Sequence, residues 1–188
     1  GVEPVLPANT PVLRALQLPS VYAITNLAET SEDVFLPQLQ RALESGVRMI
    51  QVREKQLPAE MQKSFASRVV AVCRPYAAKV LLNTHVDWVR EIGADGVHLT
   101  SRQLKAMTQR PDDMWVGASC HDRAELERAA DLELDFVTLS PVLPTRSHPQ
   151  AAGMGWPQFT ASIRDYPLPV FAMGGMQAGL LATAQRQG

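Results

Sequence analysis

Cysteine is scarce in this chain: two in 188 residues, Cys73 and Cys120, with no metal-ligand spacing between them. That usage suits a reducing compartment, so a cytoplasmic location is expected. Long apolar runs are lacking too. None reaches the roughly 18 residues that a membrane span requires, and no signal-peptide pattern is present. Nor is there an excess of one charge, since 18 Lys and Arg against 19 Asp and Glu leave −1. A broad basic surface for nucleic acid is therefore not expected. What remains is 46% hydrophobic and 20% charged, an ordinary globular balance, in a length that suits one domain with one core.

The opening residues stand apart. The chain starts on Gly1, which reads as a tag scar or as a piece excised from a longer chain, and four prolines precede position 20. Residues 1–20 are read as a Pro-rich linker or arm from an upstream domain, its end docked locally through Leu13, Leu16 and Leu18. From Val21 a repeating pattern begins. The strand candidates are 21–25, 48–53, 79–83, 96–99, 115–119, 136–140 and 170–174. All are near-continuous apolar runs, the mark of strands covered on both faces.

Amphipathic segments fall between them. Asp33 is a candidate cap for a helix reaching Gly46, Pro58 opens a helix with Met61, Phe65, Val69 and Val72 on one face, and Asp122 precedes another. Such alternation predicts an α/β fold, a (β/α)8 TIM barrel or a doubly wound sheet, and no GxGxxG turn supports the latter. The domain is taken as 21–188. The chain stops in or just after a seventh helix, so the eighth strand is expected to be missing.

Polar residues gather at the C-terminal ends of these strands, where a barrel builds its site. Gln51, Arg53 and Lys55 alternate and are expected to face the lumen as an anion-binding set; a solvated strand end is the bland alternative. Gly174 and Gly175 end the last strand, and either cradle a phosphate or make a tight turn. After the fifth strand, Ser119 is a donor and His121 a candidate acid or base, or a local partner of the helix cap. Cys120 reads as a packing residue, and His98 as either a core or a catalytic histidine. Thr145, Ser147 and His148 lie on a long loop, either a lid or an ordinary connection.

Taken in order, YAIT, IQVREK, LLN, GADGVHL, VGASCHD, VTLSPVLPTRSHP and PVFAMGGM resemble the motif series of the thiamine phosphate synthase/TenI family over positions 21 to 180. The lead-in is similar to the linker that joins a Nudix (MutT-like) domain to a TenI-like domain in bacterial fusions, which implies a Nudix-like domain upstream. The resemblance implies a thiamine-biosynthesis barrel whose partner is a phosphorylated thiazole, with no nucleic acid and no membrane. It leaves homo-oligomerisation open. Carried over, Gln51, Arg53, Lys55, Asn83 and Ser119 match pyrophosphate-side positions, Thr145 the loop threonine, and Gly174 with Gly175 the thiazole-phosphate turn.

Two departures weigh against the synthase reaction. Thr84 and Gln103 stand where the resemblance implies Mg²⁺-binding aspartates, and neutral oxygens serve a hard cation poorly. His148 replaces the loop lysine. The resemblance then points to a TenI-like thiazole tautomerase, which needs no metal or cofactor and in which His121 carries the proton. A non-catalytic module that binds a thiamine intermediate is the alternative, and a residual synthase is a third reading.

Overall fold

A computed structural model describes residues 14–15, 17–140, 155–172 and 181–187. Strands and helices alternate: β1 Val21–Thr25, α1 Glu32–Glu44, β2 Met49–Val52, α2 Ala59–Cys73, β3 Lys79–Asn83, α3 Trp88–Ile92 and β4 Gly96–Leu99. They continue with α4 Ser101–Ala106, β5 Trp115–Cys120, α5 Arg123–Asp131, β6 Phe136–Leu139, α6 Gly155–Ile163, β7 Val170–Ala172 and β8 Leu181–Gln187. The strands close into a barrel in sequence order, and β1 to β7 are parallel. The expected (β/α) barrel is the fold.

The expectation of a missing eighth strand is corrected. Residues 181–187 form a strand rather than helix, and it runs antiparallel to both β1 and β7. Without it, β1 and β7 would each present a row of unpaired backbone groups. Pairing on two sides outweighs the helix preference of an Ala-, Leu- and Gln-containing segment. The ring is thus closed without an eighth parallel unit.

Strand alternation sorts side chains into two cores. Tyr22, Met49, Leu81, Phe136 and Phe171 point inward and pack together with Leu18. Tyr22 meets the Phe136 ring edge-on at 5.2 Å, and Phe136 meets Phe171 at 5.5 Å. Gly117 makes room for them, because a Cβ there would lie 2.2 Å from the Phe136 ring. The intervening residues, Ile50, Val80, Val97, Val116 and Val137 among them, face the helices. In α1, Phe35, Leu39 and Leu43 form the buried stripe.

Helix starts follow local chemistry, with two corrections. Asp122 accepts from the Glu125 amide, as expected of a cap. In α1, Ser31 is the N-cap and Asp33 lies inside the first turn, where its charge favours the helix N-terminus. In α2, Phe65 and Val69 are buried with Ala66, Val70 and Cys73, whereas Met61 is 54% exposed. The buried face is therefore rotated from the one expected.

The N-terminal face of the barrel is held by paired clamps. Asp95 Oδ2 accepts from the Val80 amide at 2.7 Å and pairs with Arg74 at 3.0 Å. Asp135 Oδ2 repeats this with the Val116 amide at 2.8 Å and Arg110 at 2.9 Å. Arg14 adds a second cation to Asp135 at 2.5 Å, and Leu18 is buried at this end of the lumen. The end of the N-terminal arm is thus docked beneath the ring.

Candidate functional site

The opposite rim carries the polar residues. Gln51 and Asn83 face the lumen, buried, and the Asn83 amide donates to Gln51 Oε1 at 2.9 Å. This leaves the Gln51 amide nitrogen to donate to the Tyr22 hydroxyl, a bond that favours the phenolate while burial drives the Tyr22 pKa well above its usual value. Tyr22 is fully enclosed, so its own hydrogen must find an acceptor. His98 Nδ1 lies 3.0 Å away and His98 Nε2 is 2.8 Å from Ser119 Oγ.

Burial first, then repulsion from Arg53 and Lys55, lowers the His98 pKa to about 3. The ring is therefore neutral near pH 7, accepting from Tyr22 and donating to Ser119. The donors run one way: Thr84 to Asn83, then Gln51, Tyr22, His98 and Ser119. The Ser119 hydroxyl hydrogen is left for an acceptor on the rim. Of the two readings of His98, the satisfied core histidine is the one observed.

Arg53 and Lys55 follow the end of β2 and are exposed, whereas Gln51 is inside. Neither cation has an ion-pair partner among the described residues. Partial burial and Arg53 both lower the Lys55 pKa. Between them Glu54 is buried and fully used: it accepts from Thr25 Oγ1 at 2.5 Å, the Leu27 amide at 2.9 Å and Gln56 Nε2 at 2.8 Å. Glu54 thereby pins the loop after β1 to the loop after β2.

A pocket of about 340 Å³ opens beside these groups, with Val52, Leu82 and Ala66 as its apolar floor and Lys55, Asn83 and Thr84 at its polar side. One wall is the His85–Trp88 stack, with ring centroids 3.5 Å apart and planes 8° from parallel. His121 is not among the lining residues and stands on the β5 side of the rim. Its Nδ1 lies 2.8 Å from Ser101 Oγ and 3.1 Å from Glu125 Oε1, while its ring remains 47% exposed. Cys120 is buried, and burial raises its thiol pKa, which suits the packing role expected of it.

Thr84 and Gln103, where the resemblance implies Mg²⁺-binding aspartates, do not offer donors that fit a hard cation. Gln103 Oε1 accepts from the Thr100 amide and its Nε2 donates to the Thr84 carbonyl, so the side chain is spent on capping α4. Thr84 Oγ1 donates to Asn83. Thr84 also holds a φ of 74°, a left-handed conformation unfavourable for a β-branched residue, at the turn leaving β3. No group of three His, Cys, Asp or Glu able to hold a metal occurs among the described residues.

Gln51, Asn83 and Ser119 are therefore joined through Tyr22 and His98, while Arg53 and Lys55 stand at the rim and His121 to one side. Thr145, Ser147, His148, Gly174 and Gly175 lie outside the described residues. Sequence reasoning missed Tyr22, Glu54, Ser101 and Glu125. Only Glu125 left a signal, four residues after His121 and across a helix cap. No described helix is long and apolar enough to cross a membrane.

Seven parallel strands closed by an antiparallel eighth, with donors, cations and an imidazole at the C-terminal rim, have the layout on which barrels build small-molecule sites. Comparison with known proteins makes the class specific: the chain belongs to the thiamine phosphate synthase/TenI family, whose model, described as thiamine monophosphate synthase, matches residues 21–188. A relative from Aquifex aeolicus named "Putative thiamine-phosphate synthase 2" is 35% identical over 86% of this chain and 87% of its own length. The "Thiamine biosynthesis bifunctional protein ThiM/ThiE" of Symbiobacterium thermophilum is 36% identical over 87% of this chain and 34% of that longer protein. The fold is shared with a thiamine phosphate pyrophosphorylase from Pyrococcus furiosus, with a TM-score of 0.68 at 24% identity over 83% of this chain and 75% of that one.

Proposed function

We propose that this member of the family is a metal-independent thiazole tautomerase acting on a thiazole carboxylate phosphate. The observation that carries the reading is the pair Thr84 and Gln103. At the two positions where the resemblance implies Mg²⁺-binding carboxylates there are neutral side chains, and both are already committed to hydrogen bonds. Tautomerisation needs no metal: a proton leaves one substrate atom, another returns elsewhere, and composition is unchanged. His121 carries that proton. Arg53 and Lys55 meet the carboxylate or the ring, Ser119 donates to substrate oxygen, and Gly174 with Gly175 receive the phosphate.

The test is turnover in the presence of a metal chelator, with His121→Ala beside the parent. Parent turnover that falls by about 10²- to 10⁴-fold in the variant, with binding of the thiazole phosphate retained, supports the assignment. Full rate in the variant removes His121 from the mechanism. The names of the relatives favour a second reading, thiamine phosphate synthesis. Mg²⁺-dependent pyrophosphate release from a pyrimidine pyrophosphate and the thiazole phosphate would establish that reading and overturn ours. Tight thiazole-phosphate binding with neither reaction would point to a non-catalytic binding module.

A further inference from the structure

We infer that Glu125 is a positioning residue which, with Ser101, fixes His121 as the Nδ1–H tautomer and leaves Nε2 to exchange protons. The inference rests on the reading of His121 as the proton carrier, but its first observable is independent of any turnover. Ser101 has a single hydroxyl hydrogen, and it is donated to the Ser119 carbonyl at 3.0 Å. Toward His121 Nδ1, 2.8 Å away, Ser101 Oγ can then only accept. Glu125 Oε1 already accepts from the His121 backbone amide at 2.9 Å, and it lies 3.1 Å from the same Nδ1. Two acceptors converge on one ring nitrogen, so that nitrogen carries the hydrogen.

The placement of Glu125 suits this task. Its side chain is only 4% exposed, and it sits in the first turn of α5, where the helix N-terminus favours negative charge. Its second oxygen, buried and without a hydrogen bond among the described residues, has Lys105 Nζ 3.7 Å away. A buried carboxylate of this kind cannot swing to follow the ring, so the ring is held to it. Ser101, at the start of α4, and Glu125, on α5, reach His121 from two different elements. Rotation of the imidazole would break both contacts at once. A residue acting only as a helix cap would need the backbone amide and nothing from the ring.

The experiment is ¹⁵N NMR of the histidine side chains in the full chain, at a pH where His121 is neutral, with the resonance assigned through His121→Ala. The expected pattern is a hydrogen on Nδ1 and a lone pair on Nε2, the reverse of the tautomer that free imidazole side chains favour in water. The variant Ser101→Ala/Glu125→Gln should move the population toward Nε2–H. With the tautomerase substrate, Glu125→Gln should lower kcat by at least tenfold, within the ~10²- to 10⁴-fold that a general base contributes, and leave KM nearly unchanged. A parent chain whose neutral His121 is Nε2–H overturns the inference whatever the activity, and so does a double variant with the parent tautomer. A locked Nδ1–H ring in a protein with no tautomerase turnover leaves the positioning intact and removes the reaction assigned to it.

Discussion

Acidification should weaken this fold by a calculable amount through a single side chain, His98. Its ring is buried to 1% exposure between Tyr22 and Ser119, and its pKa is about 3 against an ordinary 6.5. Desolvation is the main cause, with the rim cations Arg53 and Lys55 adding repulsion. The unfolded chain takes up a proton near pH 6.5, whereas the folded chain refuses it until about pH 3. Between those limits the unfolded state binds more protons, so stability rises with pH. The contribution is complete above pH 6.5 and is lost as the pH falls toward 3. Its slope is about 1.4 kcal/mol per pH unit, which amounts to about 2 kcal/mol lost at pH 5. Urea unfolding of the parent and of His98→Gln at a series of pH values isolates this term, because the other titrations are common to both. The parent should lose about 2 kcal/mol more than the variant between pH 7.5 and pH 5. Parallel pH profiles, or a parent that gains on the variant in acid, would show that His98 is not held neutral.

Two further perturbations probe the luminal core and the base of the ring. Gly117→Ala places a methyl group against the Phe136 ring and should cost about 1–3 kcal/mol in denaturant unfolding; adding Phe136→Leu should recover part of it, and additive losses would refute the packing account. Asp135→Ala removes the acceptor of the Val116 amide and the carboxylate shared by Arg110 and Arg14, and should cost about 3–5 kcal/mol, lowering Tm by roughly 10 °C, whereas an unchanged melt would show the clamp to be idle.

The seven parallel strands were legible to within about two residues because strands buried on both faces write unbroken apolar runs. The family was legible as well, since its short motifs recur in order over the same stretch. The closing strand was not. Residues 181–187 have side chains that favour helix, and only the open edges of β1 and β7, invisible from that segment, turn them into a strand. Alternation set Gln51, Arg53 and Lys55 on one luminal side; Gln51 is buried there, whereas Arg53 and Lys55 lie beyond the paired strand and are exposed, and Glu54 was not weighed. In fact Glu54 ties two loops together just beyond the last paired residue. Tyr22 gave no signal in the sequence, because nothing local reveals that its hydroxyl bridges Gln51 and, 76 residues away, His98. Glu125 is the opposite case: its spacing from His121 was visible, and only the burial of the carboxylate gives that spacing a meaning.

The clamps under the ring also bear on how a closed barrel can be reached. Arg74 and Asp95 are 21 residues apart, Arg110 and Asp135 are 25, and each pair ties the start of one strand to the segment that begins the next. Closing the ring, by contrast, joins β8 to β1, and beside that seam Arg186 reaches the Ala15 carbonyl across 171 residues. Loop entropy grows as (3/2)RT ln n, so the long closure costs about 2 kcal/mol more than either short one if the chain between is still slack. Each clamp removes slack locally. A chain that sets its middle strands in adjacent pairs has far less left to immobilise when its two ends finally meet.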